Sequence, residues 1–227
     1  MTRRTRTAPH DLFEGSLLGE GFETVAGIDE VGRGAWAGPA SVGVVVFPRG
    51  LAAPPGLRDS KELSEHRREA LFPLVSEWCT EWAVGHAGPD ECDRLGMTSA
   101  LRLAARRALG SLARAPDVVL LDGSFDYLSE PGAGADREGA GPKRASRPVV
   151  RTVVRGDATC VSIAAASIVA KVTRDGMMRA LSPSFPGFDF DRNKGYPSPV
   201  HRTALAGFGL TSVHRRSWSY VDGLAFR

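Results

Sequence analysis

The stretch that most limits how this chain can fold is ATCVSIAAASIVAKVTRDGMMRAL, residues 158–181. Its first half is almost entirely small and apolar, so as a helix it has no polar side to give to solvent and must pack tightly in an interior. The rest of the chain supplies elements to cover it. Residues 23–29 and 40–47 (ASVGVVVF) read as strands, the second rich in β-branched side chains, with a glycine-punctuated turn between them. Residues 81–87 can form a third strand. DVVLLD, ending on Asp122, is a short apolar run of the kind buried on both faces of a sheet, and PVVRTVV, from Pro148, returns to strand.

Two helices are expected between these strands. Residues 64–78 form one, with Ser64 as N-cap and Pro73 kinking or ending it. Residues 98–113 form the other, with Leu101, Ala104, Ala105, Ala108 and Leu112 on one face and Arg102, Arg106 and Arg107 mostly opposite. Strands alternating with helices give an α/β fold, and the hairpin-like first pair makes the sheet mixed.

With 227 residues and 42% hydrophobic content the chain can bury one large domain or a domain with an appendage. Residues 1–20 are expected as a flexible basic arm, 21–181 as the main domain, and 182–227 as a turn-rich extension with one helix over 200–207. The Gly/Pro/Ala/Arg-rich segment 129–148 reads as a mobile loop. Cys79, Cys92 and Cys160 lack metal-ligand spacing and fit buried thiols in a reducing compartment, which argues against zinc. No stretch approaches the ~20 apolar residues of a membrane span, and no apolar segment follows the basic start. A soluble cytoplasmic monomer is expected. The net charge of +3 permits a nucleic-acid partner without demanding one.

Chemistry is suggested by where the acids fall. Asp29 and Glu30 close the first strand, Asp122 closes DVVLLD, and Asp157 sits beside the start of the long helix. Each has a plain explanation alone, a solvated strand end or a helix cap. Together they can converge at one sheet edge, where α/β ligand sites form. Adjacent strand residues point to opposite faces, so a site using both Asp29 and Glu30 needs a twist or a backbone contact. Clustered carboxylates call for hard cations, and two Mg²⁺-type ions ~4 Å apart are a device for phosphodiester hydrolysis.

Gly32-Arg33-Gly34 follows the acids directly, a turn that brings backbone N–H and C=O groups within reach of a 2′-hydroxyl. A tight turn is the plain alternative. Lys61 and Lys171 could meet phosphate; Lys171 is equally explained by Asp175 at i+4. Tyr196, in the rigid turn Lys194-Gly195-Tyr196-Pro197, could stack on a sugar or anchor that turn to the core. His201 and His214 read as structural or surface residues.

GIDEVGRGAWAGPA, DSKELS, LLDGSFDYL, RGDATCVSIAAASIVAKVTRD and NKGYPSPVHRTAL, taken in order, resemble the successive signatures of ribonuclease HII, the type 2 ribonuclease H family, from about Ala26 to about Ser217. The resemblance implies a ribonuclease H-like fold: a five-stranded mixed sheet flanked by helices, with a helical C-terminal extension that helps bind substrate. It implies an endonuclease that hydrolyses the RNA strand of RNA–DNA hybrids and cuts 5′ of single ribonucleotides in duplex DNA. The ends would be 5′-phosphate and 3′-hydroxyl, and the cofactor Mn²⁺ or Mg²⁺. Asp29, Glu30, Asp122 and Asp157 then match the metal-binding acids. Gly32, Arg33 and Gly34 match the turn that reads the 2′-hydroxyl, and Tyr196 the tyrosine that packs on the following deoxyribose. Lys61 and Lys171 resemble positions near the phosphates. The family's usual lysine before Gly-Asp is Arg155 here, and the 129–148 loop is longer and more basic than the family's pattern. A replication-clamp contact has no legible signature. The competing readings are a type 1-like ribonuclease H needing runs of ribonucleotides, a non-catalytic hybrid-binding module, and a metal-dependent phosphatase on another α/β fold.

Overall fold

Antiparallel neighbours can be joined by a short turn, whereas parallel neighbours need a longer crossover connection, and both kinds of pair occur here. In the computed structural model helix α1 (Leu12–Gly19) precedes strands β1 (Val25–Val31) and β2 (Ala40–Val46), helix α2 (Glu65–Trp78) and strand β3 (Glu81–Ala87). Helices α3 (Pro89–Leu95) and α4 (Met97–Gly110) lead to strands β4 (Val118–Asp122) and β5 (Val149–Val153). Helices α5 (Gly156–Thr159), α6 (Val161–Leu181), α7 (Phe190–Asn193) and α8 (Pro199–Phe208) follow. The sheet order is β3-β2-β1-β4-β5. β1–β2 and β2–β3 are antiparallel, while β1–β4 and β4–β5 are parallel, so the sheet is mixed as expected.

The structure describes residues 8–129 and 147–223. The basic arm's first seven residues and nearly all of the 129–148 loop lie outside the described residues. Among those described, no helix is long and apolar enough to cross a membrane.

The small-residue helix is α6, buried over its first ten residues and laid across β1 and β2. Its approach is set by Gly27, where a Cβ would overlap the backbone of Ser162 and Ile163. Helix and central strand therefore meet backbone to backbone. Gly27→Ala should cost about 1–3 kcal/mol through overpacking, read as a lower urea midpoint with an unchanged slope. An unchanged midpoint would mean that the interface gives way freely.

Three expectations need correcting. The arm is not unstructured over its second half: α1 packs against the domain, and its buried Glu14 accepts the Ser162 N–H (2.8 Å) and Oγ–H (2.6 Å) at the start of α6. A carboxylate there meets both an unpaired helix N–H and the positive end of the helix dipole. Pro73 neither ends nor splits α2. It lies on the exposed side, and the carbonyl it leaves unpaired belongs to exposed Glu69, which water can satisfy. The long helix is also interrupted at Cys160, whose extended backbone (φ −103°, ψ 129°) separates α5 from α6.

Alternation along β1 assigns each side chain a face. Gly27 lies against α6, and Ala26 and Ile28 join the core on the α4 side, with Val119, Leu121 and Tyr127. A smaller core under the C-terminal extension gathers Ala37, Met178, Phe188, Phe190, Ala204 and Leu205.

Candidate active site

The carboxylates meet because of strand register. In the parallel pair β1–β4 the last paired residues are Ile28 and Leu121, so the next residues, Asp29 and Asp122, stand side by side where that ladder ends. Asp122 pairs with Val153 of β5, and the chain then turns through Arg155, in a left-handed conformation (φ 59°), into α5. That turn delivers Asp157, whose N–H donates to Asp122 Oδ1 at 3.3 Å. All these groups lie at the C-terminal edge of the parallel part of the sheet, where open α/β sheets bind ligands.

Alternation puts Asp29 and Asp122 on the α6 face and Glu30 on the α4 face. The sequence posed the problem of how one site could use both Asp29 and Glu30. A backbone contact links them: Asp29 Oδ1 accepts the Glu30 N–H at 2.8 Å. Glu30 sits where the strand gives way to the glycine turn, with Arg33 Nη1 3.6 Å from its Oε1.

Electrostatics mark this edge as repulsive. Burial, then the neighbouring Glu30, pushes the Asp29 carboxyl well above the usual carboxylate range. Burial raises Glu30 too, and burial with the Asp157 charge raises Asp122. Lys61 answers part of that charge. It extends from a 3-10 turn, Ser60–Glu62, to place Nζ 2.9 Å from Asp157 Oδ2 and 4.0 Å from Asp59 Oδ1. Burial opposes its charge, but Asp29 and Asp157 outweigh this and raise its pKa.

The donor set suits a hard cation, being carboxylate oxygen without thiolate or imidazole. Among the described residues no three such side chains are drawn together closely enough to grip an ion as they stand. The raised carboxyls nonetheless describe a group that a divalent cation would relieve.

Beside the acids, the two turns singled out in the sequence are joined. The Gly32 N–H donates to the Tyr196 hydroxyl oxygen at 3.2 Å. Gly32 has φ +82°, and a Cβ there would meet the Arg174 side chain, so this position requires glycine. Gly34 is different: nothing in the fold lies within 4 Å of where its Cβ would be. The turn continues into a segment bonded to Gly195 O by the N–H groups of Trp36 (2.8 Å) and Ala37 (3.2 Å).

Two arginines with no solvent exposure clamp this assembly. Arg174 donates to the carbonyls of Pro39 (2.8 Å), Lys194 (2.9 Å) and Ala37 (3.1 Å), and its guanidinium lies 5.5 Å from the Tyr196 ring centre. Arg215 donates to Gly38 O and to Arg33 O, the latter at 3.1 Å.

The family is decided by comparison with known proteins. A family model for ribonuclease HII matches residues 26–221. The chain belongs to the ribonuclease HII family. Similar relatives include the ribonuclease HII of Streptomyces avermitilis, 50% identical over 90% of this chain and 80% of that protein. That of Paracoccus denitrificans is 44% identical over 94% and 93%. Among solved structures, ribonuclease H2 from Pyrococcus horikoshii OT3 superposes with a TM-score of 0.68 at 28% identity, covering 88% of this chain and 96% of that one. The protein is therefore a ribonuclease H, an enzyme that acts on RNA–DNA hybrids.

The four acids expected in this ribonuclease HII chain come to one edge, and Lys61 lies among them. Lys171 does not. It is bonded to Asp175 at 2.8 Å and lies 5.7 Å from the Tyr196 ring centre, so it belongs to the turn assembly. Asp59, Tyr127, Arg174 and Arg215 were not singled out. The DSK segment held a signal for Asp59, whereas the buried partners of the other three are remote in sequence.

His201 and His214 are buried, not surface residues, and are bonded to each other. The Tyr196 carbonyl can only accept, so His201 Nδ1–H donates to it at 2.9 Å, leaving Nε2 to accept from His214 Nε2–H at 2.9 Å. His214 Nδ1 then accepts from Thr211 N–H and Oγ1–H. Burial lowers both imidazoles, His214 to about 3, which favours the neutral chain of bonds that holds the Tyr196 turn.

Proposed function

We propose that this enzyme, besides acting on hybrids, recognises a single ribonucleotide in duplex DNA and cuts on its 5′ side. The products are 5′-phosphate and 3′-hydroxyl ends. The observation that carries the proposal is the Gly32 N–H···Oη Tyr196 bond. It fastens a backbone turn able to meet a 2′-hydroxyl to an aromatic ring able to pack on the next sugar, beside the acids. In this reading Gly32, Arg33 and Gly34 read the ribose, Tyr196 reads the following deoxyribose, and Lys171 and Lys61 lie toward the phosphates.

Asp29, Glu30, Asp122 and Asp157 would hold Mg²⁺ or Mn²⁺, which when bound supplies activation of water and stabilisation of the leaving oxygen. The chain's own part is to gather the carboxylates, align the strand through the two turns, and offset part of the carboxylates' mutual repulsion with the charge of Lys61. Incubation with Mg²⁺ or Mn²⁺ should give cutting of an all-RNA hybrid, a duplex with four ribonucleotides and a duplex with one, and none of all-DNA. Equal cleavage of all-DNA would defeat the reading, and cutting of four but not one would identify a type 1-like enzyme.

Tyr196 gives a finer test. Ring packing of this kind is worth roughly 1–3 kcal/mol, so Tyr196→Ala should lose about ten-fold or more on the single-ribonucleotide duplex. The all-RNA hybrid, where no deoxyribose follows the cut, should lose less. Tyr196→Phe keeps the ring but gives up the Gly32 bond, about 1 kcal/mol, and should lose about five-fold. An unchanged ratio of rates with a lowered melting temperature would make Tyr196 a structural anchor only.

A further inference from the structure

Tyr127 belongs to the loop that leaves β4, five residues beyond Asp122. Asp126 organises that loop, its Oδ1 accepting the N–H groups of Leu128 (2.8 Å) and Ser129 (2.9 Å). This directs Tyr127 and Leu128 into the core on the α4 side of the sheet, where Tyr127 is 4% exposed. The same face carries Ile28 and, one alternation further, Glu30. The Tyr127 hydroxyl is buried and, among the described residues, makes no hydrogen bond of ordinary geometry. It nonetheless lies within reach of the Glu30 carboxylate, and burial together with the charges of Glu30, Asp29 and Asp122 pushes it well above the ordinary phenol range.

A ring needed only to fill the core would be served by phenylalanine. A buried hydroxyl left without a partner is costly, and here it stands next to the one acid that faces away from the other three. The groups that fix a metal-holding carboxylate from behind commonly use such a donor. We infer that Tyr127 is a positioning residue for Glu30: its O–H donates to the Glu30 carboxylate and turns it toward the acid edge when a divalent cation binds. The inference rests on the proposed metal-holding role of the acids. It does not require Tyr127 to touch substrate.

The test is a direct measurement of Mn²⁺ affinity by electron paramagnetic resonance and calorimetry on the whole protein without nucleic acid. Wild type, Tyr127→Phe, Glu30→Gln and the double variant are compared, each with its melting temperature. Tyr127→Phe should weaken Mn²⁺ binding by about ten-fold or more, the range seen when such supporting donors are removed. It should not lower the melting temperature, since it removes an unpaired buried hydroxyl. In the Glu30→Gln background the same change should have little further effect, because the hydroxyl acts through Glu30. Wild-type Mn²⁺ affinity in Tyr127→Phe would overturn the inference while leaving the metal site standing. An equal loss in both backgrounds would also overturn it, and absence of Mn²⁺ binding by the wild type would instead remove the proposed role of the acids.

Discussion

Asp29→Asn and Asp122→Asn are each expected to abolish cleavage, by about a thousand-fold or more, because each removes a carboxylate from charge stabilisation worth several kcal/mol. Hybrid binding should survive, since the turns around Gly32 and Tyr196 are untouched. Stability should move the other way. The Asp29 carboxyl lies above its ordinary range because of burial and then Glu30, so the folded metal-free protein binds a proton more tightly than the unfolded chain. Folding stability therefore falls as pH rises from the usual carboxylate range through the raised folded value. Asparagine removes that penalty. At pH 8 without metal, Asp29→Asn should melt higher than wild type, by about 2–4 °C for each ~1 kcal/mol relieved, and the gap should narrow toward pH 5. Wild-type-like turnover would exclude the residue from the metal site, and a gap that widened on acidification would contradict the repulsion.

Arg174→Leu should be the most damaging change outside the acids. Three buried carbonyls, of Pro39, Ala37 and Lys194, would lose their donor together. Each orphaned acceptor costs about 1–3 kcal/mol, so a loss above ~3 kcal/mol and a melting point lower by about 10 °C are expected. Arg174→Lys keeps the charge but not the fork, and a single ammonium cannot serve all three carbonyls in their places. That variant should fold while its single-ribonucleotide rate falls more than its rate on a long hybrid, because the two turns are no longer held in register. Wild-type stability in Arg174→Leu, or an unchanged rate ratio in Arg174→Lys, would show that the clamp is dispensable.

The sheet and the acid edge were legible because their signals are local. DVVLLD is apolar up to the acid that ends it, and the β-branched run ASVGVVVF announces β2. Once strands end in acids, register alone brings Asp29 and Asp122 together. What stayed hidden depends on partners far along the chain. Helix α1, with glycines at 15 and 19 and a glutamate turned inward, is explained only by Ser162, 148 positions away. Arg174 and Arg215 look like surface charges until the carbonyls around residues 33–39 are seen to receive them. Tyr127 looks like any loop aromatic, because the carboxylate near its hydroxyl, Glu30, lies far back in the sequence on β1. Pro73 misled in the opposite direction: α2 runs on through it, with the carbonyl it frees on the exposed side of the helix.

The backbone contact between Gly27 and Ser162 has a consequence for how the protein is made. The acids at positions 29 and 30 leave the ribosome early, while Asp157 and the helix that backs the central strand come more than a hundred residues later. Contacts of such sequence separation close late in folding. A growing chain thus carries two of the four candidate acids without the other two, and β1 has neither its parallel neighbour nor its covering helix. The candidate acid edge therefore stays incomplete until α6 has been synthesised and docked on β1.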